Sequence, residues 1–114
     1  MNITAIRIKC AEIVGWTYIE QLAFTGIPKG SRGNADARVI PAFTESADAA
    51  LELVEWMAKP ENGERTVVID NNTRYWTAFI HSCGRKNHSD FSNTFPLAVC
   101  LAFLRANNID PETL

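Results

Sequence analysis

Apolar residues recur at helical spacing in three stretches of the chain. In residues 2–14, Ile3, Ile6, Cys10, Ile13 and Val14 fall on one side, with Arg7, Lys9 and Glu12 largely opposite. Asn2 offers a side-chain cap, and Gly15 offers the left-handed residue that ends a helix at little cost. The second pattern covers residues 45–58. Thr44 is its expected cap, and Glu45 and Asp48 lie where the helix dipole favours negative charge. Its buried stripe reads as Ala47, Ala50, Leu51, Val54 and Ala58, widened by Leu53 and Met57. Lys59-Pro60 stops it, because the residue before proline is pushed out of the helical region. Residues 95–106 make the third. Leu97 to Leu104 are apolar throughout, which marks a deeply buried helix. Thr94 is the expected cap, and Pro96 sits in the first turn where it does least harm.

Between the second and third helices the period changes to two. Strands at about 65–70 and 74–81 flank Asp70-Asn71-Asn72-Thr73, whose Asn and Asp residues suit a β-hairpin. Both faces of this hairpin carry apolar residues. Val67 and Ile69 lie opposite Val68, and Tyr75 and Phe79 lie opposite Trp76 and Ile80. A sheet apolar on both sides is expected to be covered on both sides. The predicted fold is therefore a mixed α/β (α+β) domain over residues 1–114. It is a three-layer α/β/α sandwich with a small central antiparallel sheet. Trp16 to Phe24 reads as irregular, with room for one β segment. Residues 25–41, with Gly26, Gly30, Gly33, Pro28 and Pro41, read as a long loop. Residues 82–93 read as a polar loop, with space for an edge strand near Asp90-Phe91.

Composition narrows the classes. In 114 residues, 46 % hydrophobic and 21 % charged content is that of a globular chain rather than a disordered one. The net charge of −2 lacks the Lys and Arg excess of most nucleic-acid-binding domains. Cys10, Cys83 and Cys100 are odd in number and far apart, so reduced thiols and a cytoplasmic location are expected. Met1 leads into a capped helix with no basic segment or long apolar core, so no export signal is expected. No apolar run approaches the roughly 18 residues of a membrane span, and no membrane partner is expected.

Three fragments belong together. Ile40-Pro41-Ala42-Phe43-Thr44-Glu45-Ser46-Ala47-Asp48-Ala49-Ala50-Leu51-Glu52-Leu53-Val54 comes first, then the hairpin carrying Trp76. Thr94-Phe95-Pro96-Leu97-Ala98-Val99-Cys100-Leu101-Ala102-Phe103-Leu104-Arg105-Ala106 follows. This order, with Ala11-Glu12-Ile13-Val14-Gly15-Trp16, resembles the phage ABA sandwich domain of small phage and prophage proteins. The resemblance implies an α/β/α sandwich of phage origin, working in the cytoplasm of an infected bacterium. It carries over no catalytic residue, because the matching positions are helix caps and core.

Candidate chemistry is sparse. His81, Cys83 and His88, with Asp90, carry donors that suit zinc. Their spacing lacks the paired ligands of a metal site, so a polar loop is the preferred reading and no metal or other cofactor is expected. There is no G-x-S-x-G elbow. Gly30-Ser31-Arg32-Gly33 lacks the strand, helix and lysine of a phosphate-binding loop. Neither Cys10 nor Cys83 has the sequence context of a catalytic thiol. The chain reads as a non-enzyme that binds a host or phage protein through loops 25–41 and 82–93. Interference with a host process or defence follows from the resemblance alone. The alternative is nucleic acid or a small anionic ligand, held by basic loops 29–38 and 85–88. The candidate contacts are Lys29, Arg32 and Arg38, Arg74 on the hairpin, and Arg85 and Lys86. Trp16 and Trp56 read as core anchors, and the open hairpin edge would also permit a homodimer.

Overall fold

The computed structural model describes residues 1–114. Helix α1 (Ile3–Ile13) begins where Ala5 N donates to Asn2 Oδ1 at 3.0 Å, so the expected cap is the observed one. Ile6, Cys10, Ala11 and Val14 turn inward. Gly15, at φ +105°, then swings the chain into strand β1 (Trp16–Gln21). β1 pairs antiparallel with β2 (Pro28–Arg32), and β2 pairs with β3 (Arg38–Val39). The stretch expected to be a long loop thus contributes two strands of a three-stranded sheet.

Local sequence could not announce β2, because Pro-Lys-Gly-Ser-Arg has none of the β-branched or aromatic residues that favour strands. Its partner makes it a strand. The register shifts between Thr17 and Glu20, and Tyr18 adopts φ +53° within that irregularity. Gly30 faces the bulge. A Cβ there would lie 3.0 Å from Thr17 O and 3.1 Å from Ile19 Cγ1, so the close approach of the two strands depends on its bare backbone.

Helix α2 (Ala47–Ala58) is capped by Ser46, whose hydroxyl accepts from Ala49 N at 3.2 Å. This corrects the expected cap: Thr44 is buried in the turn before the helix. The buried stripe is corrected with it. Ala49, Ala50, Leu53 and Met57 face the core, while Leu51 is 44 % exposed. Both rows of α2 are apolar, so periodicity could not choose between them; packing against the third helix does. Arg7 ties α1 to the approach of α2. Its Nε donates to Pro41 O at 3.1 Å and its Nη2 donates to Ile40 O.

The second sheet is β4 (Thr66–Asn71), β5 (Trp76–His81) and β6 (His88–Ser92), all antiparallel in that order. The hairpin is as expected. At its turn, Asn72 Oδ1 accepts from Arg74 N and Tyr75 N at 2.8 and 3.0 Å. Strand β6 occupies the second half of the expected 82–93 loop, over the Asp90-Phe91 position considered for an edge strand. Helix α3 (Phe95–Ala106) spans the expected residues and is buried on nearly every side, but Thr94, at the cap position, makes no side-chain capping hydrogen bond. It packs on β5, β6 and both other helices. Trp76 meets Phe95 edge-on at 5.7 Å, and Trp56 meets Phe103 likewise at 5.7 Å.

Three helices and two small antiparallel sheets make a mixed α+β fold, consistent with the α/β/α sandwich predicted from sequence. One expectation about its layers fails. The second sheet is covered on one face only. Val67, Ile69, Trp76, Ala78 and Ile80 turn towards the core, whereas Thr66, Val68, Asp70, Tyr75, Phe79, His81, Ser89 and Phe91 face outward and are exposed. The outward residues are half polar, so no covering layer is required to keep them in water.

Candidate functional site

The basic residues singled out from sequence do not form one face. Gly30 pairs with Arg38 and Trp16 with Arg32, which places both arginines on the Trp16 side of the first sheet. Arg38 lies over the Trp16 ring, with its guanidinium carbon 5.1 Å from the centroid, so it covers a core aromatic. Arg32 lines a shallow cleft with Glu52, Glu55, Trp56 and Lys59, where acidic side chains balance it. Lys29 pairs with Glu20 and Val39. Loop 29–38 is therefore not a basic patch. Arg74 sits in the hairpin turn, at the far end of β5 from Arg85 and Lys86, about 17–20 Å away for a strand of this length.

The metal candidates also separate. His81 is on the exposed face of β5, Cys83 is exposed in the following turn, and His88 pairs with Ile80 on the inner side. No group of three or more His, Cys, Asp or Glu side chains gathers anywhere to hold a metal ion. Cys10 and Cys100 are buried free thiols, and Cys100 Sγ donates to Phe43 O at 3.2 Å. Burial and the neighbouring Cys100 push the Cys10 thiol well above its ordinary value, the opposite of an activated nucleophile.

What the fold does bring together lies at the β5–β6 turn and the C-terminal end of α3. A cleft of about 200 Å³ is lined by Arg65, Ser82, Arg85, Lys86, His88, Ala106 and Asn108. A larger groove of about 500 Å³ adjoins it, sharing Lys86, His88 and Asn108 and adding Asn87, Ser89, Arg105, Ile109 and Asp110. Arg85 and Lys86 were candidates from sequence. Arg65 was not. The signal for it lies in the pairing: Thr66 pairs with His81, which carries the preceding Arg65 alongside the turn that follows β5. Arg105 Nε donates to Asp90 Oδ2 at 2.5 Å, and this contact raises its pKa; its charge is already matched. Arg65 Nη1 is buried and has no hydrogen-bond partner.

A second feature was not legible in the sequence. On the outward face of the second sheet, Val68 lies across from Phe79, and Thr77 across from Phe91. The Tyr75 and Phe91 rings pack at 4.9 Å. Val68, Tyr75, Phe79 and Phe91 thus form one exposed apolar cluster, with Phe91 59 % exposed.

No helix of the structure is long and apolar enough to cross a membrane. No curated protein matches the sequence. Among solved structures, the chain is similar to a phage protein from Bacillus cereus, with 17 % identity and a TM-score of 0.68. The match covers 96 % of this chain and 91 % of that one, and at this identity it speaks for the fold. The family model of the phage ABA sandwich domain matches residues 10–104, from within α1 to near the end of α3. The chain belongs to the phage ABA sandwich domain family.

Proposed function

We propose that this phage-family protein acts by binding another protein, of the host or of the phage, and performs no chemistry of its own. The observation that supports this is the exposed Val68, Tyr75, Phe79 and Phe91 cluster on the second sheet. Aromatic side chains that remain in water on a rigid strand surface bring large contact area at little entropic cost, and such groups dominate binding energy at protein interfaces. β4 is an edge of the same sheet, so its free backbone groups extend the surface sideways. The expected setting is the cytoplasm of an infected bacterium, where interference with a host process or a host defence would need only such a surface.

The test is affinity capture from host lysate after nuclease treatment, with wild type beside the Phe79→Ser/Phe91→Ser double variant. Circular dichroism confirms that the variant is folded. Wild type should retain one protein at stoichiometric yield and the variant should lose it. Capture that vanishes with nuclease, or that the variant retains in full, would overturn the reading.

A further inference from the structure

We propose that Arg65, Arg85, Lys86 and His88 form an anion subsite for the phosphate group of a small phosphorylated molecule, whose polar body lies in the adjoining groove. The inference does not depend on the protein-binding surface, which is on the opposite face of the same sheet.

Four cationic or potentially cationic side chains line a cleft of about 200 Å³ in which no carboxylate takes part. Like charges brought together cost free energy unless something opposes them. Burial and Arg85 hold the Arg65 guanidinium below its usual value, and burial, Lys86 and Arg65 do the same for His88. The residues feel one another and have no internal counter-ion.

Arg65 makes the case sharper. Its Nη1 is out of contact with water and hydrogen-bonded to nothing. A buried unsatisfied donor on a charged group is a costly arrangement, and a native structure keeps one for a reason. The plainest reason would be to cap α3, since cations favour the C-terminal end of a helix. Three of the last four α3 carbonyls already have partners within the chain. The carbonyls of Phe103, Leu104 and Arg105 accept from the backbone N–H groups of Asn107, Asn108 and Ile109, and Asn107 Nδ2 also donates to Phe103 O. Arg65 also lines the cleft with no carboxylate paired to it, so its charge, like those of Arg85 and Lys86, is unmatched within the chain.

The chemistry of the four favours a phosphate group. A guanidinium fork matches two oxygens of a tetrahedral oxyanion, while Lys86 supplies a point charge and His88 a further donor when protonated. The adjoining groove is of a different character. Arg105 there is neutralised by Asp90, and Asn87, Ser89, Asn108 and Asp110 present mixed donors and acceptors. A charged pocket opening on a neutral polar one suits a phosphate with a hydrogen-bonding body attached. It suits a nucleic-acid strand poorly, because Lys29, Arg32 and Arg74 lie elsewhere and no basic track leads from the cleft.

Titration calorimetry at constant ionic strength would test this with three probes: inorganic phosphate, adenosine 5′-monophosphate and a short single-stranded DNA. Phosphate should bind one per chain, and the nucleotide more tightly. Arg65→Met should weaken both by about tenfold or more, the loss of one charge-assisted hydrogen bond. Arg85→Met and Lys86→Met, at exposed positions that the fold does not need, should each weaken binding several-fold, which keeps the test decisive if Arg65→Met fails to fold. Arg32→Met, at the other sheet, should leave it unchanged. Absence of saturable phosphate binding would overturn the proposal. So would binding that is indifferent to the Arg85 and Lys86 variants, or DNA binding that outcompetes the nucleotide.

Discussion

Two alanine substitutions on paired strands separate a sheet covered on one face from one covered on both. Ile80 is 0 % exposed on the inner face of β5, and Val68 is 47 % exposed on the outer face of β4. Ile80→Ala removes three buried carbons, a transfer loss of about 2.4 kcal/mol at about 0.8 kcal/mol each. The cavity they leave under α3 adds up to about 2 kcal/mol, so the expected cost is about 3–4 kcal/mol. Val68→Ala removes two carbons that are already half in water and leaves no cavity, so its cost is about 0.8 kcal/mol. Against a total stability on the order of 5–15 kcal/mol, the first change is severe and the second mild. Equilibrium urea unfolding reads both, with an unchanged slope confirming that the same surface is exposed. In a melt the difference corresponds to roughly 4 °C per kcal/mol for a chain of this length. Equal losses for the two variants would refute the one-sided sheet. If the Val68→Ala loss grew with protein concentration, a second copy would be covering that face.

Gly30→Ala should destabilise by about 1–3 kcal/mol, since the new methyl must displace the Thr17 carbonyl or Ile19 at 3.0–3.1 Å; chemical denaturation checks it. Ser46→Ala should cost about 1 kcal/mol through loss of the α2 cap. The same denaturation series would miss that loss if Thr44 were the cap. His88, held below its usual value by burial, Lys86 and Arg65, gives a pH prediction. The unfolded chain takes up this proton at higher pH than the folded one. The stability linked to His88 is therefore complete above about pH 6.5 and is lost as pH falls through that value towards the folded one. His88→Gln should flatten that part of the acid-side decline, and a pH series of unfolding midpoints for both proteins reads the difference.

The helices were legible because each carries its own punctuation. Asn2 and Gly15 bracket α1, Lys59-Pro60 closes α2, and Thr94 with Pro96 opens an α3 so apolar that only the centre of the fold could hold it. The hairpin was legible for the same reason: alternation and an Asn-rich turn are local properties. Fold class follows from these, and so does the family resemblance, since both rest on short-range signals.

What stayed hidden depends on partners distant in sequence. β2 is a strand because β1 lies beside it, and a Pro-Lys-Gly-Ser-Arg segment has no preference strong enough to say so alone. The stripe of α2 was ambiguous because two rows are apolar and only α3 selects between them. The same limit applies to the candidate sites. Arg85 and Lys86 were visible as charges in a loop, but Arg65 joins them only through the register of β4 against β5. Val68, Tyr75, Phe79 and Phe91 were visible as hydrophobic residues, but an alternating strand does not reveal which of its faces meets water. Residue type and spacing determine which elements form. Which faces are buried, and which distant charges meet, is decided when the elements pack, because burial and juxtaposition are properties of the assembled chain.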